Sequence, residues 1–428
     1  MTNRSFRDLG LSEPLLRALD AQNLTTPTPI QSDTIPLILA GKDVMGIAQT
    51  GTGKTAAFGL PLLQLLAAER KVAFRRCTRA LILAPTRELA LQIEANLYRW
   101  ARGLGLATCA IVGGVARRPQ ATKLARGMDI VVGTPGRIVD LMSTDEVKLG
   151  QVSHFVLDEA DRMLDLGFAR DIRRIAAAVP RERHTLLFSA TMPHDVVHLA
   201  EALLRDPVRV EVSRDAVTPA QIDQQVYFVP GHEKRALLNR ILEDEALARV
   251  IVFTRTKHGA NRVAEHLARD GTEAEALHGN KSQAARQRSL DRFRQGRARV
   301  LVATDIAARG IDVSNVTHVI NFDLPDVAES YVHRIGRTAR AGASGVAISF
   351  CDASEAGMLR QIERHTGSRL SVVGGTPPVE RTSKDHPAAK GRNGRGRPQP
   401  DNNHREQQGQ PKSRRARNGQ RRRFQAAA

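Results

Sequence analysis

Short apolar segments alternate with longer amphipathic segments along the first 350 residues of the chain. The segments at 80–84, 130–132 and 186–188 are apolar over consecutive positions, which is typical of strands buried on both faces of a sheet. The segment at 87–102 instead repeats its apolar positions every three or four residues, which predicts an amphipathic helix. Strands that alternate with helices predict an α/β protein whose parallel sheets carry helices on both faces.

A second series of strand-like segments follows a polar interruption. Its apolar segments lie at 250–253, 299–303, 319–321 and 346–350. The polar stretch at 206–219 has proline near both ends and is expected to act as a linker. Because about 100–200 residues make one domain, 428 residues suffice for two. We therefore predict an N-terminal domain at 1–208, a linker at 209–220, a C-terminal domain at 221–375 and a tail at 376–428.

The composition of the chain changes at residue 381. Residues 381–428 contain 14 Lys and Arg against 3 Asp and Glu, with no Val, Ile or Leu. This segment cannot bury enough apolar surface to offset the entropy of ordering it, so we predict a disordered basic tail. Its charge would attract phosphate backbones, although a purely solubilising tail would have the same composition. An anionic membrane is a less well supported partner, because the tail has no amphipathic helical pattern.

Cysteine usage and hydropathy indicate the compartment. Cys77, Cys109 and Cys351 are too few and too scattered for a disulfide framework or a zinc site, which favours a reducing environment. No apolar segment is long enough to span a bilayer, and residues 1–10 lack the apolar core of a signal peptide. The expected location is the cytoplasm.

The first candidate for chemistry is the segment AQTGTGKT at 48–55. Gly51 and Gly53 allow a tight turn whose backbone N–H groups can face phosphate oxygens. Lys54 can reach the β- and γ-phosphates, and Thr55 can offer its hydroxyl to Mg²⁺. A predicted strand at 43–47 and a predicted helix at 56–66 flank the segment, as a phosphate loop requires. One departure is Ala48, which stands where the general pattern has Gly.

The second candidate is the acidic segment DEAD at 158–161, which follows apolar residues at 155–157. Asp158 lies at the predicted carboxyl end of a strand, where α/β sheets present their ligands, and would hold Mg²⁺ through water. Glu159 is placed to orient and deprotonate an attacking water.

Nine further segments occur in a fixed order around these two. They are PTPIQ at 27–31, PTRELA at 85–90, GG at 113–114, TPGR at 134–137, SAT at 189–191, VIVFTRT at 250–256, QAAR at 283–286, ATDIAARGID at 303–312 and HRIGRTAR at 333–340. From residue 6 to 350 the chain resembles the DEAD-box ATP-dependent RNA helicases of superfamily 2, and most closely the bacterial RhlE-type helicases with basic tails. The resemblance implies two tandem RecA-like doubly wound parallel-sheet domains. It also implies RNA-stimulated ATP hydrolysis that is coupled to local unwinding of short RNA duplexes and to RNP remodelling.

The resemblance assigns the nucleotide contacts. Gln31 offers one amide donor and one acceptor to the N6 and N7 edge of adenine, so ATP is expected over GTP. Asn23 stands where the family usually has Gly, and Asn tolerates a positive φ better than most residues. The predicted nucleotide-binding residues are Phe6, Gln31, Ala48, Gln49, Thr50, Gly51, Thr52, Gly53, Lys54, Thr55 and Asp305.

The resemblance also implies catalytic and coupling roles. Arg337 and Arg340 match the γ-phosphate contacts, and Arg340 is closest in role to an arginine finger; the alternative is that both arginines form a basic patch for RNA. Ala339 stands where the family usually has Gly. The predicted catalytic residues are Lys54, Glu159, Arg337 and Arg340, the predicted Mg²⁺ ligands are Thr55 and Asp158, and the predicted coupling residues are Asp161, Ser189, Thr191 and His333.

RNA is expected to be held by its backbone with little sequence specificity. Only 4% of residues are aromatic, so platforms for stacking bases are scarce. The matched positions are glycines, which offer N–H groups without bulk, together with polar and cationic residues that suit phosphates. They are Pro85, Arg87, Gly113, Gly114, Thr134, Arg137, Arg255, Gln283, Arg286, Thr304 and Arg309.

The mechanism expected from these assignments is a clamp. ATP and RNA would each contact both domains and favour a closed form, with a coupling free energy on the order of 1–3 kcal/mol. Because nucleic-acid stacking is about 1.4 kcal/mol per step, such a clamp would open only a few base pairs. An ATP-gated RNA clamp that rarely unwinds, a DNA-directed enzyme and a nonenzymatic strand-annealing protein remain alternatives. Protein partners in RNA degradation or ribosome assembly are conceivable from the family but are not identified by the sequence.

Overall fold

The computed structural model describes residues 4–49, 51–69, 71–212, 222–308, 316–339 and 344–377. The predictions for Thr50, Arg309 and Arg340 lie outside these residues. So do the predictions for most of the linker and for nearly all of the tail.

Among the described residues, seven parallel strands form the sheet of the N-terminal half, here called lobe 1 (4–212). Its strands are β1 (Val44–Ile47), β2 (Thr78–Leu83), β3 (Thr108–Ile111), β4 (Met128–Gly133), β5 (His154–Leu157), β6 (His184–Ser189) and β7 (Val208–Glu211). Its helices are α1 (Glu13–Asp20), α2 (Pro29–Leu39), α3 (Lys54–Ala68), α4 (Arg87–Trp100), α5 (Arg117–Leu124), α6 (Pro135–Met142), α7 (Ala160–Asp165), α8 (Ala169–Ala178) and α9 (His194–Leu203), with 3₁₀ helices at Phe6–Leu9 and Ala101–Gly103. The strand order is β3-β4-β2-β5-β6-β1-β7.

A second sheet of seven parallel strands lies in the C-terminal half, here called lobe 2 (222–377). Its strands are β8 (Ile222–Phe228), β9 (Val250–Phe253), β10 (Ala274–Leu277), β11 (Val300–Ala303), β12 (His318–Asn321), β13 (Gly345–Cys351) and β14 (Ser371–Gly374). Its helices are α10 (Lys234–Leu242), α11 (Lys257–Arg269), α12 (Gln283–Arg294), α13 (Asp305–Ala308), α14 (Ala328–Ile335) and α15 (Ala356–Thr366). The strand order β10-β11-β9-β12-β13-β8-β14 repeats the arrangement of lobe 1.

Each sheet is covered on both faces, as the hydrophobic pattern predicts. In β2, Ile82 packs into one hydrophobic cluster, whereas Leu81 and Leu83 pack into a second cluster on the other face. Successive side chains of a strand point to opposite faces, so a strand buried on both sides is apolar at every position. The predicted fold of two doubly wound parallel-sheet domains is therefore confirmed.

The edge strand β7 lies partly where the linker was placed. It pairs in parallel with β1 and extends to Glu211, three residues past the predicted boundary at 208. Its burial alternates, with Val210 buried and Arg209 and Glu211 exposed, because an edge strand has water on one side. A short alternating segment of this kind resembles a polar linker in the sequence.

The parallel register brings the candidate chemistry to one edge of each sheet. In lobe 1, Ala48, Pro85, Gly113, Thr134 and Asp158 all follow the carboxyl ends of strands, at β1, β2, β3, β4 and β5. Ligand sites of open α/β sheets form at this edge.

Candidate functional site

The phosphate-loop segment forms a tight turn before α3. Gly51 and Gly53 have φ values of +92° and +88°, which only glycine adopts without strain. The buried Lys54 donates from Nζ to the carbonyl oxygen of Ala48 at 3.0 Å, across the mouth of the loop. Thr55 follows in the first turn of α3, where unpaired N–H groups favour an anion.

Gln31 braces this loop. Thr28 and Gln31 form a capping box at the start of α2, in which Gln31 Oε1 accepts from the Thr28 N–H at 2.9 Å. Gln31 Nε2 donates to the carbonyl oxygen of Gly53 at 3.0 Å, and a Cβ on Gly53 would lie 2.3 Å from that nitrogen. The predicted adenine contact is thus bonded to the phosphate loop, which links the PTPIQ segment to the conformation of the loop.

Two further residues that precede the PTPIQ segment have clear positions. Phe6 is buried in the same hydrophobic cluster as Leu9, and Leu39 of α2 packs against this cluster. The Phe6 ring is therefore part of the core beside α2. Asn23 has a φ of +56°, which confirms the positive φ expected where the family usually has Gly.

The acidic segment combines buried charge with a strained backbone. Glu159 has a φ of +53° at the start of α7, a conformation that costs about 1–2 kcal/mol in a residue with a Cβ. Burial raises the pKa of Asp158 to about 7, with Lys54 opposing and Glu159 adding to this rise. Burial also acts to raise the pKa of Glu159, but Arg162 and Lys54 more than offset it, so the net pKa of Glu159 is lowered. The pKa values of these two neighbouring carboxyl groups are therefore shifted in opposite directions.

Arg162 accounts for much of this difference. Its Nη1 lies 2.8 Å from Glu159 Oε2, and both side chains are buried. Residues three apart on a helix are neighbours, so the sequence spacing alone could have indicated the pair.

The segment at 189–191 is bonded to the last acid of DEAD. Asp161 Oδ2 accepts from the Thr191 N–H and from Thr191 Oγ1, both at 2.9 Å. The Asp161 N–H donates to Ser189 Oγ at 3.2 Å, and Ser189 Oγ donates to the Thr191 carbonyl oxygen at 2.8 Å. A hydroxyl–carboxylate bond therefore joins Thr191 to Asp161, whereas Ser189 bonds backbone groups.

Both lobes line one cavity of about 280 Å³ beside these carboxylates. Glu159, Asp161 and Thr191 line it from lobe 1, and His333 and Arg337 line it from lobe 2. The buried Arg337 is one of the cations that lower the pKa of Glu159, and its Nε donates to the His333 carbonyl oxygen at 3.1 Å. A base candidate and a cation for phosphate thus face each other across the lobe interface.

Asp305, the predicted ribose contact, is held by Arg334. Both of its carboxylate oxygens accept from this guanidinium, at 2.6 Å from Nε and 2.7 Å from Nη2. Arg334 is only 1% exposed, and its guanidinium lies 5.0 Å from the centre of the Phe253 ring. A bidentate pair of this kind fixes the orientation of the carboxylate.

A second cavity between the lobes, here called the groove, has a volume of about 490 Å³. Its lining includes six of the predicted RNA contacts: Pro85, Arg87, Gly113, Thr134, Arg137 and Arg286. Burial lowers the pKa of Arg87, Glu88 opposes this, and Arg286 and Arg137 lower it further, although a guanidinium stays charged. Gly114 has a φ of +70°, and a Cβ there would lie 1.8 Å from Arg87 Nη1. The glycine therefore makes room for a cation at the groove.

Glu88 joins the lobes beside the groove. Its Oε1 accepts from Gln283 Nε2 at 3.1 Å and lies 3.0 Å from Arg286 Nη2. Thr86 is the N-cap of α4 and Ser282 is the N-cap of α12, so Glu88 and Gln283 both lie in the first turns of their helices. Gln283 and Arg286, which were predicted to contact RNA, thus have polar atoms engaged with lobe 1.

Two predicted RNA contacts in lobe 2 are tied within that lobe. Arg255 pairs with Glu355 at 2.8 Å and with Asp326 at 3.2 Å. Thr304 follows β11, and its carbonyl oxygen accepts from the Ala307 and Ala308 N–H groups at the start of α13. Neither side chain is among those described as lining the groove.

Sequence analysis missed three residues of this site, namely Glu88, Arg162 and Arg334. All three carry a buried charge and bond to a predicted site residue. A buried charge needs a partner, but only the fold shows which one it finds.

The described part of the chain lacks two features. No helix there is long and apolar enough to cross a membrane. Those residues also contain no group of three or more His, Cys, Asp or Glu side chains that could hold a metal ion.

Comparisons with known proteins match both halves of the chain. The family model for DEAD/DEAH box helicases matches residues 28–199, and the model for the helicase conserved C-terminal domain matches residues 233–342. The DEAD-box ATP-dependent RNA helicase CshA of Geobacillus kaustophilus is 45% identical over 86% of this chain and 77% of its own length. CshA of Listeria monocytogenes, an ATP-dependent RNA helicase, is 44% identical over 86% of this chain and 70% of its own length.

Two solved structures with bound ligands are similar. S. cerevisiae Dbp5 bound to RNA and ADP BeF3 has a TM-score of 0.77 and 33% identity, covering 86% of this chain and 95% of Dbp5. Mss116p bound to ssRNA and AMP-PNP has a TM-score of 0.78 and 30% identity, covering 88% of this chain and 80% of that chain.

Proposed function

The chain belongs to the DEAD-box family of ATP-dependent RNA helicases, and from this premise we propose that closure of its lobes on ATP opens short RNA duplexes locally. The observation that carries the proposal is the cavity shared by Glu159 of lobe 1 and Arg337 of lobe 2. A nucleotide that needs residues from both lobes is hydrolysed only when the lobes are together.

Residues of lobe 1 bind and activate the nucleotide in this proposal. The loop at 48–55 cradles the phosphates, and Lys54 neutralises the β- and γ-phosphates. Glu159 takes the proton of the attacking water; its low pKa keeps it ionised, and Arg162 fixes its position. Gln31 would exchange its bond to Gly53, or use its second amide hydrogen, to contact adenine.

Magnesium fits the residues beside the loop. A carboxylate and a hydroxyl are hard oxygen donors of the kind that Mg²⁺ prefers, and the buried Asp158 is close enough to Lys54 of the loop for that cation to act on its pKa. Thr55 and Asp158 would hold the ion, which neutralises phosphate charge when bound.

Residues of lobe 2 complete the site. Arg337 and Arg340 would stabilise charge on the transferring phosphoryl group, and Asp305, oriented by Arg334, would contact the ribose. Asp161 with Ser189 and Thr191, and His333 across the cavity, would report the nucleotide state from one lobe to the other.

RNA would occupy the groove through its backbone. The cationic and glycine residues that line it suit phosphates, and Dbp5 and Mss116p, which are similar in fold, were solved with RNA and a nucleotide analogue. Because RNA and ATP would each contact both lobes, each favours the closed form that binds the other. Hydrolysis and phosphate loss would reopen the lobes and release the strand.

The direct test is ATP hydrolysis with no polymer, with RNA and with DNA of the same sequence. We expect strong stimulation by RNA and little by DNA. Equal stimulation by both polymers would overturn the RNA preference. Unwinding of short but not long duplexes would distinguish a helicase from a clamp that only binds.

The basic tail is proposed to be an auxiliary RNA anchor. Deleting 381–428 removes a net charge of +11 from the chain's +19. We expect weaker RNA binding and a shallower dependence of the binding constant on salt concentration, because fewer counterions are released. An unchanged salt dependence would assign the tail another role. A cytoplasmic location, the RhlE-type subfamily and protein partners in RNA degradation or ribosome assembly stay predictions.

A further inference from the structure

We propose that lobe 1 carries a second RNA-contacting surface, which leads along α5 from the groove to an exposed aromatic ring at the opposite edge of the sheet. This surface, here called the α5 track, consists of the side chains Arg118, Lys123, Arg126, Arg75 and Phe74. The proposal rests on RNA being the polymer substrate and concerns a part of the RNA that lies outside the groove.

The α5 track begins at the groove and ends far from it. Gly113 lies at the groove, after the carboxyl end of β3, and α5 begins at Arg117 only four residues later. The other end of α5 leads through Gly127 into the amino end of β4, at the opposite edge of the parallel sheet. An eight-residue helix is about 12 Å long, so α5 bridges the two edges.

The loop before β2 lies at the same far edge and exposes an aromatic ring. Phe74 is 70% exposed and Val72 is 80% exposed, whereas Ala73 between them is buried. The Phe74 N–H donates to Gln151 Oε1 at 2.8 Å, and its carbonyl oxygen accepts from the Cys77 N–H at 2.9 Å. The backbone therefore has fixed partners while the ring stays in water.

Gly127 joins this loop to the end of α5. A Cβ on Gly127 would lie 2.5 Å from the carbonyl oxygen of Ala73 and 2.6 Å from that of Phe74. The Arg76 N–H also donates to the carbonyl oxygen of Leu124, the last residue of α5, at 3.0 Å. The C-terminal end of α5 and the aromatic loop are therefore in direct contact.

The cations of the α5 track are available to an anion. Arg75, Arg118, Lys123 and Arg126 are exposed, and none forms an ion pair with another described residue. The neighbouring carboxylates already pair with other cations, which we call the inner set. Arg117 pairs with Glu146 and Asp140, Arg76 and Lys148 pair with Asp145, and Lys71 pairs with Glu69. The outer set of positive charges is therefore uncompensated.

Single-stranded RNA fits this combination of groups. Exposed cations track a phosphate backbone, and a base can stack on an exposed aromatic ring without sequence preference. RNA bound in the groove would lie next to the start of α5. Arg137, which lines the groove, also donates to the carbonyl oxygen of Val115 just before α5. An RNA that leaves the groove at Gly113 would meet the first cation within one helical turn.

The test compares RNA of two lengths on full-length protein. The short RNA is the shortest oligouridylate that gives full ATPase stimulation, and the long RNA extends well beyond it. Phe74→Ala should weaken binding of the long RNA about fivefold or more, the loss expected for one stacked base, and leave the short RNA unchanged. Tyr98→Ala, which removes an exposed ring on α4, is the matched control.

The charges are tested by the triple variant Arg118→Gln, Lys123→Gln and Arg126→Gln. Each phosphate contact on a single strand contributes about 0.7 to the slope of log affinity against log salt, so the slope for the long RNA should fall by about 2. The control removes three exposed arginines of lobe 2, namely Arg240, Arg269 and Arg364, and should leave the slope unchanged.

The outcomes separate this proposal from the proposed function. Wild-type affinity of both variants for the long RNA, or equal losses for both RNA lengths, would overturn the α5 track while RNA-stimulated ATPase activity persists. If the variants lost binding to an acidic peptide but kept full affinity for the long RNA, the surface would be a protein-docking site. That result would also overturn the α5 track. Absence of RNA stimulation in the wild type would instead refute the proposed function.

Discussion

Glu159 is the residue on which hydrolysis depends most directly in this account. Its strained backbone directs the carboxylate into the shared cavity, and its pair with Arg162 keeps it ionised. Strain at a functional residue persists only when the surroundings hold it in place. Here the buried ion pair and the start of α7 supply that restraint.

We expect Glu159→Gln to reduce turnover by about 10²–10⁴-fold, the usual contribution of a general base, while ATP affinity is retained. Steady-state hydrolysis and equilibrium nucleotide binding measure the two effects. Glu329→Gln is the control, because Glu329 is an exposed acid that lines the same cavity from lobe 2. Unchanged turnover in Glu159→Gln would remove this residue from the role of base.

Ala339 carries backbone strain. Its φ is +54°, at a position where the family usually has Gly. A left-handed conformation costs about 1–2 kcal/mol for a residue with a Cβ, and glycine avoids this cost but gains about 0.4–1 kcal/mol of unfolded-state entropy. Because the strain cost is larger than the entropy term, the folded state should be more stable with glycine at this position.

Ala339→Gly should therefore raise the free energy of unfolding of lobe 2 by about 0.5–1 kcal/mol, measured by urea denaturation. Ala264→Gly, a buried alanine within α11, should lower it by about 1 kcal/mol. A loss of stability in Ala339→Gly would show that the methyl group packs better than the strain costs.

Much of the site could be predicted at the residue scale, because its chemistry is local in sequence. The loop glycines, Lys54 and the positive φ of Asn23 all follow from the residue type and its immediate neighbours. The Glu88–Arg286 contact does not, since its members are far apart in the chain and approach only through the fold.

At the scale of elements, the strands with four or more apolar residues were the most predictable. Strand β9 coincides with its predicted segment, and β11 differs from its segment by one residue. Five strands had no predicted segment, namely β3, β7, β8, β10 and β14. All of them except β8 are edge strands, which need few apolar residues, and β14 is mostly exposed. Pairing with a neighbour, rather than the local pattern, decides such strands.

The helices α4 and α12 form an interlobe contact through Glu88, Gln283 and Arg286. Hydrogen bonds to a charged group contribute about 1.5–3 kcal/mol, so this contact is a substantial part of the closed arrangement. It lies beside the groove, so in the proposed function it would link RNA binding to closure.

We expect Glu88→Gln to raise the RNA concentration that gives half-maximal ATPase stimulation by about tenfold, because loss of one charged bond weakens closure. Glu94→Gln is the control on the same helix, since the carboxylate of Glu94 bonds Thr108 within lobe 1. Equal shifts in both variants would mean that α4 stability, and not closure, sets RNA affinity.

At the scale of the whole molecule, two similar sheets present different chemistry at their facing edges. Lobe 1 contributes the phosphate loop and Glu159, and lobe 2 contributes Arg337 and the Asp305–Arg334 pair. The sequence indicated this division because the two groups of segments lie in separate halves of the chain. It could not indicate how the lobes meet, since the contacts of Glu88 depend on tertiary structure.

In the proposed mechanism, neither lobe hydrolyses ATP in an RNA-stimulated manner without the other. The most direct measurement compares ATP turnover with RNA for the intact chain and for isolated lobe 1, after cooperative thermal unfolding and nucleotide binding show that the isolated lobe is folded. We predict that isolated lobe 1 binds ATP and shows no RNA-stimulated turnover. Turnover of isolated lobe 1 equal to that of the intact chain would contradict the claim.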